Sequence, residues 1–286
     1  MKRFIMGIIL VMLASTWAAA ASSVWEARKD GHIIYLGGTV HVLRPSDFPP
    51  PPEFDRAYKA ADTLVFETDM GKLKDPAVQQ LLAAKATYTD GSTIDKHLSP
   101  RTFQELSAYC AANGIPLAAL RQFKPSLLIV TLTFLELKKL GVTEEGIDAY
   151  YYDRAKQDGK TIKGLETVNQ QIDYLVTMAD GMEDAFVSYS IEDMKGAGET
   201  FDALASAWRT GDAGKLNELM VAEMKDRWPR LYRKLITQRN NNWLPEIEAL
   251  GKAPGTAFIL VGAGHLVGPD GLIAALKRRG YRVERL

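Results

Sequence analysis

Only four histidines occur in the 286-residue chain, and two of them share one local setting. His41 follows Tyr35-Leu36-Gly37-Gly38-Thr39-Val40, and His265 follows Ile259-Leu260-Val261-Gly262-Ala263-Gly264. Each stands three residues after a glycine that closes an apolar run, whereas His32 and His97 lack that glycine. A glycine there lets the chain turn tightly off a strand end and leaves little backbone between the imidazole and the sheet edge. Imidazole so placed is a neutral ligand for zinc, manganese, iron or cobalt, or a base near pH 7. Taken singly, each histidine reads equally well as a hydrogen-bonded turn residue; the duplication points to a shared site.

Carboxylates occupy comparable positions. Glu67 ends the apolar run Leu64-Val65-Phe66, where an unpaired charge is costly, so it must find a metal, a cation or strong donors. Glu166, in Gly164-Leu165-Glu166-Thr167, reads either as a further ligand or as a loop carboxylate capping a helix. Asp69 and Asp148 read as capping or solvated residues. Arg239 lies in the polar run Gln238-Arg239-Asn240-Asn241-Asn242-Trp243, where a guanidinium serves to stabilise an anionic intermediate, to clamp a carboxylate, or to bridge two helices. The sequence contains no serine-centred elbow, phosphate-binding glycine loop or His-Glu-x-x-His helix.

The elements that must carry these residues follow from the apolar patterning. Val24 to Arg28 and His32 to Leu36 flank Lys29-Asp30-Gly31 as a hairpin, and a helix near Glu53 to Ala61 leads into a strand from Thr63 to Glu67. From Asp75 to Gly251 the pattern is almost wholly helical. Ser99-Pro100 and Thr143-Glu144 mark helix starts there, and Gly114, Gly141 and Gly159 mark stops. Met178, Met182, Met220 and Met224 pair at helical spacing and are expected in the core, as is the single cysteine, Cys110, on a face with Phe103 and Leu106. A strand from Thr256 to Val261, a helix from Pro269 to Arg279 and a strand from Tyr281 to Arg285 close the chain. Strands at both ends around a long helical insert predict one α+β domain, its N- and C-terminal strands joined in a central sheet whose strand ends carry the polar groups.

Composition sets the outer bounds. Lys plus Arg and Asp plus Glu number 35 each, so no net charge draws the protein to nucleic acid. One cysteine excludes an intramolecular disulfide and CxxC pairs. Lys2-Arg3, the apolar run Phe4 to Leu13 and the small residues Ala18 to Ala21 read as a signal peptide over residues 1–21, with the folded domain at 22–286. Cleavage after Ala20 or Ala21 predicts a periplasmic or secreted protein with no stable membrane anchor; the competing reading is an uncleaved N-terminal anchor.

In order along the chain, these motifs resemble the TraB/GumN family, related to the Tiki-type metalloproteases and to the erythromycin-esterase/ChaN-like fold. The resemblance runs through Leu36-Gly37-Gly38-Thr39-Val40-His41-Val42-Leu43, Val65-Phe66-Glu67-Thr68-Asp69, Gly146-Ile147-Asp148, Gly164-Leu165-Glu166-Thr167 with Gln170, Arg239-Asn240, and Val261-Gly262-Ala263-Gly264-His265-Leu266-Val267-Gly268 with Gly280-Tyr281. It implies a divalent-metal hydrolase of peptide bonds. His41, His265 and Glu67 would be catalytic and metal-binding, Glu166 a further ligand, and Arg239 an oxyanion or carboxylate clamp. The implied ion is manganese, cobalt, iron or zinc, and the implied partner is a peptide or protein substrate. The family usually reads Glu-Arg-Asn where this chain has Gln238-Arg239-Asn240. If that glutamate orients Arg239, the Gln238 amide still serves and activity survives at a reduced level, the favoured case; if it is a ligand or the general base, this chain binds peptide or metal without turnover. The alternative is a non-catalytic envelope accessory on the same scaffold that binds peptide, haem or a protein partner.

Overall fold

A computed structural model describes residues 22–286; residues 1–21, read above as a signal peptide, lie outside the described residues. Its centre is one six-stranded mixed sheet in the order β4-β3-β5-β2-β1-β6. The strands are β1 (Val24–Lys29), β2 (His32–Thr39), β3 (Thr63–Phe66), β4 (Thr161–Gly164), β5 (Ala257–Gly262) and β6 (Arg282–Arg285). β1 pairs antiparallel with β2 and β6, whereas β2, β5, β3 and β4 run parallel to one another. N- and C-terminal strands thus meet in one sheet, the expected α+β arrangement within a single domain.

β5 is buried along its whole length, as a central parallel strand covered on both faces must be. Its Phe258 packs against Phe54 of the Pro52–Ala60 helix and Tyr151 of the Ile147–Gln157 helix. The β1–β2 connection is tighter than expected: Lys29 pairs with His32, leaving a two-residue turn in which Asp30 and Gly31 both have positive φ (50° and 81°), the twist a hairpin favours.

The helical insert differs from the sequence expectation in three ways. It contributes a strand of its own, β4, a four-residue edge strand too short and too polar on its open face to stand out among helices. Thr143 does not start a helix: it pairs with Leu43 in an isolated bridge, and the following helix begins at Ile147 behind Gly146. The four methionines are half-buried, and only Met220 and Met224 pack against the core, where they also line a surface cleft; Met178 and Met182 line another cleft away from it. Cys110 is buried as expected, in a separate small core with Leu106, Leu128, Leu132 and Val187. Gly114, Gly141 and Gly159 all have positive φ, as helix-ending glycines do. Among the described residues no helix is long and apolar enough to cross a membrane.

The four parallel strands end at one edge of the sheet. Continuing from β4, β3, β5 and β2, the chain delivers Glu166, Glu67, His265 and His41 to that edge.

Candidate active site

The two Gly-x-x-His segments meet because Thr39 at the end of β2 is the register partner of Gly262 at the end of β5. Their glycines are needed for close approach, not for an unusual turn. A Cβ on Gly38 would stand 3.1 Å from the Ala263 Cβ, and one on Gly262 would stand 3.3 Å from Glu67 Oε1, 3.5 Å from His41 Nε2 and 3.7 Å from His265 Cδ2. The space beside the Gly262 Cα is therefore where both imidazoles and the strand-end carboxylate converge, across 224 residues of sequence.

Each histidine has its Nδ1 committed to an acceptor. His41 Nδ1 lies 2.8 Å from Asp148 Oδ2, and His265 Nδ1 lies 2.8 Å from Asn240 Oδ1. Asp148 is buried near the start of the Ile147–Gln157 helix, so its reading as a capping or solvated residue is overturned. Ile147, Tyr151 and Ala155 mark the buried face of that helix, and Asp148 stands at its edge. That placement was the available sequence signal. Asp69 does cap, accepting from the Gly71 and Lys72 amides.

Arg239 occupies the middle of the cluster. The Gln238–Leu250 helix carries Arg239, Asn240 and Trp243 inward together. Arg239 donates Nε and Nη2 to the two oxygens of Glu166 (3.1 and 2.7 Å), Nη2 also to Glu67 Oε2, and Nη1 to His265 Nε2 (3.0 Å). Its guanidinium carbon lies 4.7 Å from the Trp243 ring centroid and 5.2 Å from that of Tyr174, a cation stacked against aromatic faces. Trp243 Nε1 donates to Glu166 Oε2 at 3.2 Å. Glu166 thus accepts from an arginine and an indole, while Thr167, not Glu166, caps the next helix. Gln238 is exposed and makes no hydrogen bond to Arg239, so the expected orienting amide is replaced by the two carboxylates and Trp243.

These contacts divide the charges. Burial alone would push the Glu67 carboxyl up, but His265, Arg239 and His41 beside it and the Gly262 N–H, 2.8 Å from Oε1, take it down to about 2. Burial, reinforced by the Arg239 and His41 charges, lowers His265 to about 3 despite Glu67. His265 is then neutral at pH 7, and Arg239 and His41 are the cations that keep Glu67 ionised. Burial raises Glu166 against the pull of Arg239. The Asp148 charge raises His41 to about 9, but 62% of that side chain is exposed, so water screens the pair.

Among the described residues no three His, Cys, Asp or Glu side chains are arranged to hold a metal ion, since Arg239 holds the atoms of Glu67, Glu166 and His265 that would face one. The donor chemistry still fits a divalent cation. Two imidazoles with Nδ1 held by outer acceptors present Nε2 as the ligand atom, the usual arrangement around a metal-bound histidine. Thr39, beside Gly262, has a buried hydroxyl with no partner. Glu67 and Glu166 share one guanidinium and Asp148 stands against His41, a negative surplus that a proton on His41 or a metal ion offsets.

His32 and His97 serve elsewhere: His32 is exposed at the hairpin, and His97 stacks on Tyr88 with centroids 3.9 Å apart. Asn240, which also donates to the carbonyls of His265 and Asp270, and Trp243 complete the site; the sequence marks Asn240 only as the neighbour of Arg239 in its motif and Trp243 only as the end of the polar run.

Comparison with known proteins bears on the family. The chain is 24% identical over 280 residues to "Uncharacterized protein YbaP" of Shigella flexneri, covering 94% of this chain and 99% of that one. It is 24% identical over 277 residues to the protein of the same name from Escherichia coli (strain K12), with the same coverage. No solved structure matches. The sequence pattern of the TraB/PrgY/gumN family matches residues 23–285. With that match spanning nearly all of the described chain, the protein belongs to the TraB/PrgY/gumN family.

Proposed function

We propose that the protein is a divalent-metal-dependent hydrolase of peptide bonds. The observation that carries this reading is the convergence of His41, His265 and Glu67 on the space beside Gly262, with both Nδ1 atoms already engaged. His41, Glu67 and His265 would hold the ion, and Glu166 would hold Arg239. A bound ion would supply carbonyl polarisation and a water of lowered pKa. For His265 to serve, Arg239 Nη1 must release its Nε2, and the bidentate Glu166 pair keeps the guanidinium near while it does so. Arg239, still cationic, is then free to donate to the oxyanion that forms at the substrate carbonyl. Asp148 holds the His41 ring in one orientation throughout.

The test is metal content and peptide cleavage of protein made without a histidine tag, stripped of metal and reloaded with manganese, cobalt, iron or zinc. The reading expects bound metal, metal-restored cleavage, and loss of metal in His41→Ala and His265→Ala variants that remain folded by circular dichroism. Unchanged metal content in both variants would remove the histidines as ligands. Peptide binding without turnover under every metal would favour the non-catalytic alternative. We place the protein outside the cytoplasm on the residues 1–21 pattern; intact mass from a periplasmic fraction should match a start at Ala21 or Ser22, and full-length protein in a membrane pellet would overturn this.

A further inference from the structure

We propose that the open cavity beside His41 and Glu67 is a subsite for one medium-sized apolar side chain of a peptide, and that the Gln171 carboxamide accepts a backbone N–H of that peptide. The cavity has a volume of about 250 Å³, with His41, Glu67 and Asp148 at one end and Phe66, Met70 and Leu73 as its apolar wall. That is below the roughly 300–1,000 Å³ of sites that enclose a whole drug-sized ligand, so it suits a side chain of a longer molecule.

Two further polar residues line it, Thr68 and Gln171. Thr68 is already engaged, its hydroxyl donating to the Glu166 carbonyl at 3.1 Å. Gln171 is not: its Oε1 is buried and has no hydrogen-bond partner. A buried acceptor left unpaired costs about 1–3 kcal/mol, so the side chain gains by turning its Oε1 to a donor that arrives with a ligand. A peptide N–H is such a donor, attached to a chain whose side chain can meet the apolar wall. An acidic side chain would meet Glu67 and Asp148 and is disfavoured.

The wall is held in place. Met70 and Leu73 stand on the short Met70–Leu73 turn, whose start is capped by Asp69, and Tyr152 donates its hydroxyl to Asp69 at 3.2 Å. Gln171 lies one turn into the Val168–Val176 helix, whose Thr167 cap follows directly on Glu166. The subsite and the candidate catalytic cluster are therefore built on the same strand ends.

This inference rests on the hydrolase reading for its peptide ligand, and the experiment reads binding and cleavage separately. Fluorescein-labelled Gly-Gly-Xaa-Gly-Gly peptides, with Xaa as Leu, Met, Phe, Ala, Trp, Asp or Lys, are titrated by anisotropy against the chain from residue 22 and incubated with protein loaded in turn with manganese, cobalt, iron and zinc. Leu, Met and Phe peptides should bind about tenfold tighter than the Asp peptide, as expected for fitting an apolar side chain into its pocket, with the Lys peptide between them because its ammonium meets the same two carboxylates. Leu73→Trp, which fills the cavity, should shift the preference to Ala. Gln171→Leu should raise Kd and KM by about 5- to 30-fold with kcat nearly unchanged, the usual cost of losing one hydrogen bond to a buried group. Gln171→Glu, which keeps the acceptor, should restore most of the affinity. N-methylation of the Xaa amide should weaken wild type and leave Gln171→Leu unaffected. Selective binding without cleavage would sink the hydrolase reading and leave the subsite standing. Cleavage without preference among the peptides, or a Gln171→Leu variant equal to wild type, would overturn the subsite.

Discussion

The two Gly-x-x-His segments begin alike and end in opposite electrostatic states. Both leave a parallel strand after an apolar run, and both direct an imidazole to the same edge of the sheet. His41 is largely exposed, is paired with the Asp148 carboxylate, and is raised to about 9. His265 is buried, is paired with the neutral Asn240 amide and faces the Arg239 guanidinium; it is lowered to about 3. The repeated motif delivers the backbone; the Asp148 charge then sets the proton on His41, and burial sets it on His265. One histidine of the pair is ready to carry charge and the other to remain a neutral donor of its lone pair.

The largest blow to this contrast is removal of Arg239. An Arg239→Leu variant leaves Glu67 and Glu166 buried without their cation and should lose about 3–5 kcal/mol of stability, as broken buried pairs do. Urea unfolding measures it, and a loss below about 1 kcal/mol, the scale of an exposed pair, would mean that the cluster is open to water. Arg239→Lys should recover only part, because an ammonium cannot reproduce the fork on Glu166.

Exchanging the partners should bring the two titrations closer together, with burial still holding His265 down. In metal-free protein, Asp148→Asn should drop His41 from about 9 towards the ordinary value of 6.5, and Asn240→Asp should raise His265 from about 3. Histidine ring signals followed by NMR report both. An unmoved His41 in Asp148→Asn would assign its raised value to something other than that carboxylate.

The pH dependence of stability carries the same contrast with opposite signs. His265 is lowered from 6.5 to about 3 and Glu67 from 4.5 to about 2, so the stability each contributes is complete above 6.5 and 4.5 respectively and is lost as pH falls through the lower values. His41 is raised, so its contribution is complete below 6.5 and is lost as pH rises through about 9. The acid limb should be the steeper, because its groups are buried while His41 is exposed. Thermal melts of metal-free protein from pH 3 to 10 test this, and His265→Asn should flatten the acid limb between 6.5 and 3.

The smallest effect is expected at Gln238. Its side chain is exposed and takes no part in holding Arg239, so Gln238→Glu should change stability by less than about 0.5 kcal/mol, as surface substitutions do. Cleavage or peptide binding should be unchanged within twofold. A large gain in either would reinstate a carboxylate at this position as part of the machinery.

Much of the fold was legible because it is local. Alternating and continuous apolar runs marked β1, β2, β3 and β5, and Ser99 and the stop glycines marked helix ends, since strand burial and capping leave their signatures within a few residues. β4 escaped, being four residues long with half its side chains turned to water. At the site, the glycine spacing and the strand-end position singled out His41, His265 and Glu67, and the polar run singled out Arg239.

Other assignments depended on residues distant in the chain. Asp148 meets His41 across 107 residues and Arg239 meets Glu67 across 172, and no spacing rule connects them. Sequence by itself determined which side chains stand at strand ends, because periodicity and glycine act over a turn or two of backbone. Only the tertiary structure decided which histidine is charged, which carboxylates hold Arg239 and that Gln238 faces away, because burial and pairing are set by what the sheet and helices bring together.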